Sequence, residues 1–250
     1  MDWQQYRNSG LVTYLPGGAR KKGHSDSNGR RTMPYIMARL FAGSSDQSPE
    51  QLDRIARQEL VPQLLQIPGL LRYSTVQFTD GRVGSFSVYE NREAAERGLR
   101  VASEWVSSTE AVRNYKLDET LRGEMVYTLV SRGNQMQRNA YIVARIYETI
   151  ARAEDIARAL QDEAAEVLNE ATPGLIRYSL VRLDDGRVGA FSAFEDQKSA
   201  QQITEYAREL RSKAGSQLRR FLPADPELYE GIMLGTYTPD QRQGTPGVVT

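Results

Sequence analysis

The sequence predicts an α+β chain built from two tandem βαββαβ repeats. Three observations carry this. Residues 68–90, PGLLRYSTVQFTDGRVGSFSVYE, return as residues 173–195, PGLIRYSLVRLDDGRVGAFSAFE, with fifteen of 23 positions identical at an offset of 105. Ahead of each copy stands a short run of β-formers, YIMARLF at 35–41 and YIVARIY at 141–147. Behind each copy comes a stretch with apolar residues at helical spacing. The repeating unit is about a hundred residues, a domain rather than a solenoid module.

The elements follow in order. Residues 35–41 and 141–147 are the first strands. Ser48-Pro49-Glu50-Gln51 starts a helix: a cap serine, proline in the first turn, and glutamine three residues on. Leu52, Ile55, Ala56, Leu60 and Leu64 mark its apolar face, and Pro62 predicts a kink or an early end. Ile156, Ala157, Leu160, Ala164, Val167 and Leu168 repeat that face. Residues 70–78 and 83–89 form a hairpin joined at Asp80-Gly81, and Asp185-Gly186 repeats the turn. Asn91 and Asp196 cap a second helix. It carries Ala95, Leu99, Ala102 and Trp105 in one copy, and Ala200, Ile203, Ala207 and Leu210 in the other. A last strand is expected near 123–130 and near 230–237. This order is the ferredoxin-like split βαβ unit, met twice.

The expected organisation is a basic arm over 1–33, repeat one over 34–131, a linker at 132–138, repeat two over 139–238 and a polar tail at 239–250. Six basic residues stand against two acidic ones in the first 32 positions, which reads as a disordered arm or a basic tail. Met33-Pro34-Tyr35 begins where the repeat begins, so Met33 is an alternative start. The first residues lack the charged and apolar regions of a secretory signal. No stretch approaches the ~20 apolar residues of a membrane span. A cytoplasmic protein without membrane contact is the expectation.

Composition removes much chemistry. There is no cysteine, and His24 is the single histidine. Thiolate catalysis, disulfides and cysteine-type metal centres are excluded. Neither repeat contains a GxGxxG or a P-loop. No bound metal, haem or nucleotide cofactor is expected. Thirty-two basic residues balance 32 acidic ones, so no global field draws nucleic acid. The RNA-recognition module shares this element order, but its strand-three signature needs an aromatic where Gly84 stands. No acid–base or nucleophile cluster is legible: Asp184-Asp185 sits at a turn and Glu163/Glu166 on a helix.

A lone βαββαβ sheet covers one face with helices, and duplication suggests that the two remaining faces pack together about a pseudo-twofold axis. A two-residue loop at Asp80-Gly81 pairs Thr79 with Arg82, Gln77 with Gly84, Thr75 with Phe86 and Tyr73 with Val88. That set, with Ile36, Ala38 and Leu40, is assigned to the helices. The opposite face then holds Arg39, Arg72, Ser74, Ser87 and Tyr89. Copy two places Arg145, Arg177, Ser179, Ser192 and Phe194 there. Small hydroxyl residues leave volume, and buried guanidinium groups need acceptors. Either Arg39 and Arg145 pair with Glu or Asp across the pseudo-twofold interface or bond strand-end carbonyls, or they hold a carboxylate, phenolate or enolate ligand. A flat, partly apolar molecule bearing an anionic or carbonyl oxygen is the expected partner, between sheet and sheet or sheet and helix. Tyr89 has only Phe194 as its counterpart, so its copy is the better candidate. Further self-association is left open.

The Pro-Gly-hydrophobic turn, the tyrosine after it, the DGRVGSFSVYE hairpin and the capped helix ending in Trp105 resemble the antibiotic biosynthesis monooxygenase superfamily of dimeric α/β-barrel domains. The resemblance covers nearly all of 34–131 and 139–238. It implies two fused copies forming an intramolecular dimeric α/β barrel. Some members oxygenate polycyclic aromatics without metal or flavin, some degrade haem through a histidine ligand, and some have no known activity. Neither repeat has a histidine, which departs from the haem branch. The cofactor-free branch implies an Asn, a Trp, a Tyr and an Arg near the cavity, with Trp105 and Arg39 the nearest matches. A cofactor-independent monooxygenase acting on a flat phenolic molecule and a non-catalytic binding module are both open.

Overall fold

The computed structural model describes residues 11–14, 33–131, 136–170, 174–213 and 215–239. The strands and helices in chain order are β1 (Leu11–Tyr14), β2 (Tyr35–Ala42), α1 (Pro49–Glu59), α2 (Val61–Leu64), β3 (Leu70–Phe78), β4 (Val83–Tyr89), α3 (Arg92–Ser108) and β5 (Lys116–Ser131). Then come β6 (Tyr141–Tyr147), α4 (Ala153–Glu170), β7 (Leu175–Leu183), β8 (Val188–Phe194), α5 (Gln197–Ser212), α6 (Gln217–Phe221) and β9 (Glu227–Tyr237). His24, the basic arm around it, the tail beyond 239 and the side chains of Ala164, Val167 and Leu168 lie outside the described residues.

Two compact units divide the chain. The first takes in the described parts of Pro34–Arg122 and Leu234–Thr250; the second takes in those of Met1–Met33 and Gly123–Met233. The boundaries fall inside β5 and β9, so the units differ from the sequence repeats at their last strands. In the first unit β4 lies between β2 and β3. In the second the order is β9–β6–β8–β7, and the end of β5 pairs with β7. All these pairings are antiparallel.

Local chemistry explains the helices. Ser48 Oγ accepts from Gln51 N at 3.3 Å, and Gln51 Oε1 accepts from Ser48 N at 2.7 Å, closing the expected capping box. Pro62 cannot continue α1, which stops at Glu59, and a new short helix starts at Val61. Asn91 Oδ1 accepts from Ala94 N at 2.9 Å, and Asp196 Oδ1 from Ser199 N at 2.7 Å. None of the helices among the described residues is long and apolar enough to cross a membrane.

The hairpin turn departs from the sequence reading. Phe78 O accepts from Gly81 N at 3.1 Å, and Phe78 N donates to Arg82 O at 2.9 Å. Thr79, Asp80 and Gly81 therefore form a three-residue loop, with Gly81 at φ +89°. A side chain there would be strained, which is why glycine closes this turn. The second copy repeats it with Leu183, Gly186 and Arg187. One extra loop residue moves β4 by one position against β3. Tyr73 now faces Ser87, Thr75 faces Ser85 and Gln77 faces Val83. A one-residue shift sends every side chain of a strand to the other face.

The helix-facing row is therefore Tyr35, Met37, Arg39 and Phe41 on β2, Val83, Ser85, Ser87 and Tyr89 on β4, and Tyr73 and Thr75 on β3. Tyr35, Met37, Tyr73 and Tyr89 pack with Leu60, Val61 and Leu64 and with Ala94, Ala95 and Ala102 of α3. Ile36, Ala38, Leu40, Phe86 and Val88 stand on the opposite face, a correction to the assignment made from the sequence.

Candidate functional site

Each unit holds a cavity of about 70 Å³ between its helices and its sheet. A water requires roughly 10–15 Å³ by the same measure, so each cavity exceeds a single water site. The first is lined by Arg39, Asp53, Tyr73, Thr75, Ser85 and Trp105, among others.

Arg39 reaches this cavity because the register puts it on the helix side, across from Ser85. It is 5% exposed. It makes no ion pair among the described residues; its guanidinium carbon lies 5.6 Å from the centre of the Phe41 ring. Burial pushes its pKa below the ordinary value, while the phenols of Tyr73 and Tyr89 pull it back. An arginine stays charged through such a shift, so this is a cation out of water. Burying charge is costly unless an acceptor compensates. Ser85 Oγ is buried and forms no hydrogen bond of full geometry among the described residues, although it lies near enough to the Tyr73 hydroxyl to hold back that phenol's pKa. Burial raises the Tyr73 phenol to about 12, with Arg39 opposing the rise and Asp53 adding to it. Tyr73 is therefore a neutral donor at physiological pH.

Asp53 was not singled out in the sequence. It is 8% exposed on α1. Its Oδ1 accepts from Thr75 Oγ1 at 2.5 Å and from Tyr237 OH at 3.0 Å. A side chain at Gly235 would meet Tyr237 OH at 2.4 Å and Asp53 Oδ1 at 2.6 Å, so the bare backbone makes room for this pair. The signal was present: Asp53 stands three residues before Ala56 and seven before Leu60, on the apolar stripe itself.

The remaining expected residues separate. Ser87 shares the helix-facing side with Arg39 but is not part of the cavity wall. Tyr89 does not line it either: its ring lies under α3, where a Cβ on Gly98 would come within 2.0 Å of the hydroxyl. Tyr89 is thus core, and its copy's cavity rests on Arg39 instead. Arg72 shares a row with Ile36 and Val88 on the opposite face. Ser74 is on that face too, with its Oγ donating to Thr236 Oγ1 at 3.1 Å. Trp105 contributes its ring to the cavity and donates Nε1–H to Glu59 Oε2 at 3.0 Å.

The second cavity repeats the arginine and tyrosine of the frame, adds Tyr206 and Arg211, and replaces the hydroxyls of Thr75 and Ser85 with apolar residues. Arg145, Tyr147 and Tyr178 match Arg39, Phe41 and Tyr73. Leu180, Ala190 and Leu210 stand where the first copy has Thr75, Ser85 and Trp105, and no carboxylate lines the wall among the described residues. Arg145 is as buried as Arg39 but donates Nη2–H to Thr204 Oγ1. Counting from the caps Asn91 and Asp196, the first copy has Leu99 at that position. Arg145 is held by its own helix, and Arg39 is not. Arg177 and Ser179 lie on the other face, where Ser179 Oγ pairs with Thr128 Oγ1 at 2.7 Å. Ser192 is on the helix side, its Oγ buried without a partner among the described residues. Nowhere among the described residues do three His, Cys, Asp or Glu side chains gather as metal ligands would.

No protein-family model matches the chain, and no curated protein sequence matches it. Solved structures do. A crystal structure of a protein from Fusobacterium nucleatum, presumed to be a monooxygenase, aligns with a TM-score of 0.60 at 12% identity, over 84% of this chain and 96% of the other. An anthrone oxidase-like protein aligns at 0.54 and 14% identity, over 86% and 97%. The chain has the dimeric α/β-barrel fold. The same fold extends to chlorite dismutase from Candidatus Nitrospira defluvii, at 0.53 and 16% identity over 80% and 92%. Likenesses this distant speak for fold alone.

Proposed function

We propose that the first unit binds a small, flat, partly apolar molecule through an anionic or carbonyl oxygen on Arg39, and promotes its reaction with O₂ without a resident cofactor. The observation that supports this is Arg39 itself: buried, without an ion pair among the described residues, across from a buried serine hydroxyl, in a cavity with an aromatic wall. Such a cation is stabilised when a ligand oxygen supplies the missing acceptor, and charge-assisted contacts of this kind are the strong ones. Tyr73, Trp105 and Phe41 give the apolar surface a flat ring needs.

The chemistry follows from charge. A substrate with an activated CH₂ beside a carbonyl loses a proton, and its electron pair delocalises onto the oxygen that Arg39 holds. The resulting anion is electron-rich enough to reduce O₂. One oxygen atom becomes the new carbonyl and the other leaves as water, which balances CH₂ plus O₂ to C=O plus H₂O. Two structural neighbours named for oxidation of this general kind are consistent with the reading. A thermal-shift screen over polycyclic phenols, anthrones and quinones, followed by oxygen uptake with each hit, tests it. Binding with uptake in wild type, and loss of both in Arg39→Ala, is the expected result. Binding without uptake would make the protein a binding module, and uptake that survives Arg39→Ala would remove the proposed residue.

A further inference from the structure

We infer that Asp53 is the proton acceptor of this site, a role that rests on the reading of the cavity just given. Three features of its placement point there. It is a nearly buried carboxylate on the wall of the cavity that Arg39 lines. It has no ion pair among the described residues. Both of its side-chain hydrogen bonds, from Thr75 and Tyr237, fall on Oδ1, which leaves Oδ2 without a hydrogen bond among the described residues. Two neutral hydroxyls hold one oxygen and so orient the other, as a positioned base requires.

The surroundings fit a base rather than a structural ion. Tyr237 on β9 has its phenol pushed up by burial and by Asp53, so it donates a proton without losing it. Tyr73 on β3 is likewise neutral and sits in the field of both Asp53 and Arg39. Arg57, one turn along α1, acts on Tyr237, and Arg39 lies on the sheet side. A ligand between them would meet a cation for its oxygen and a carboxylate for its proton. The step is a single transfer: the ligand's C–H or O–H bond breaks, the proton goes to Asp53 Oδ2, and the electron pair stays on the ligand. Among the described residues, the second unit's cavity has the arginine but no carboxylate.

The test uses the full chain, an anthrone as substrate and the matching anthraquinone as a ligand that has no proton to lose. Asp53→Asn should lower oxygen uptake about 100-fold or more at pH 7. Its quinone affinity should stay within about threefold. Its residual rate should climb about tenfold per pH unit toward the anthrone's own ionisation, while wild type stays flat over that range; a merely structural role would not create this slope. Asp53→Ala opens space, and added formate should restore uptake at least tenfold. Wild-type uptake in Asp53→Asn, or an unchanged pH profile, would overturn the role of Asp53 and leave Arg39 standing. Absence of both binding and uptake in wild type would overturn the reading of the cavity, and the base with it.

Discussion

Arg39 and Ser85 stand opposite each other in the register of β2 and β4, and the serine hydroxyl is buried without a hydrogen bond of full geometry among the described residues. The pair puts a desolvated cation and an unused hydroxyl on one patch of cavity wall. Native cores rarely keep such groups, and a ligand oxygen would satisfy both.

Removing the hydroxyl should separate stability from binding. Ser85→Ala deletes an unsatisfied polar atom and should stabilise the ligand-free protein by about 1–2 kcal/mol. That corresponds to a rise in Tm of roughly 2–8 °C, read by calorimetry. The same variant should bind a polycyclic phenol about tenfold more weakly. The second copy already has Ala190 there. A variant that gains no stability, or binds as tightly as wild type, would show that Ser85 is satisfied by other means.

The two arginines should behave differently. Titration calorimetry with a quinone ligand should give one site per chain. Arg39→Ala should abolish binding, and Arg145→Ala should leave affinity within about twofold while lowering Tm, because its bond to Thr204 is lost. Two equivalent sites would contradict the difference between the cavities.

Gly98 should tolerate no side chain. In an exposed helix, Gly→Ala gains about 1 kcal/mol. Here the added carbon would lie 2.0 Å from the Tyr89 hydroxyl. Overpacking of this kind costs about 1–3 kcal/mol, so Gly98→Ala should lower Tm. The double variant Gly98→Ala with Tyr89→Phe should recover part of the loss, since Phe194 fills that position in the second copy.

Alkaline pH should unfold the protein through its buried phenols. The Tyr73 pKa is raised by burial to about 12, and those of Tyr178 and Tyr237 are raised as well. A raised phenol pKa favours the neutral form in the folded state, so the full contribution is present below about pH 10, the unfolded value. It is lost as pH rises from about 10 toward 12, by roughly 2–3 kcal/mol for Tyr73 alone. Absorbance of phenolate, followed with circular dichroism, should show a group of tyrosines that titrates only as the fold is lost. Smooth ionisation of all thirteen tyrosines near pH 10 in the folded protein would refute this.

Much of the fold was legible because its signals are local. The duplicated hairpin, the caps at Ser48, Asn91 and Asp196, and the break at Pro62 each follow from one or two residues. The faces of the sheet were not, because β2, β6 and β8 are buried almost throughout, so alternation carries little information. The assignment then hung on the turn, and reading Asp80-Gly81 as a two-residue loop inverted β4 and β2 together. Arg39 was found for its charge, but Arg72 and Ser74 were grouped with it across the sheet. Asp53 went unseen because a lone acidic residue beside Leu52 looks solvated until Thr75 and Tyr237 are brought to it by strands distant in sequence. β5 begins at Lys116, earlier than expected, since its first residues are charged and largely exposed.

The most direct test of the cavity is the ionisation of a coloured phenol bound inside it. A hydroxyanthraquinone changes its visible absorbance on losing its proton, so its pKa can be read in the complex. With Arg39 holding the oxygen, the bound phenol should ionise at least one pH unit lower in the wild-type complex than the same dye free in water, and Arg39→Ala should not bind it. A bound pKa equal to or above that of the free dye, or undiminished binding by Arg39→Ala, would contradict the placement of an anionic oxygen on Arg39.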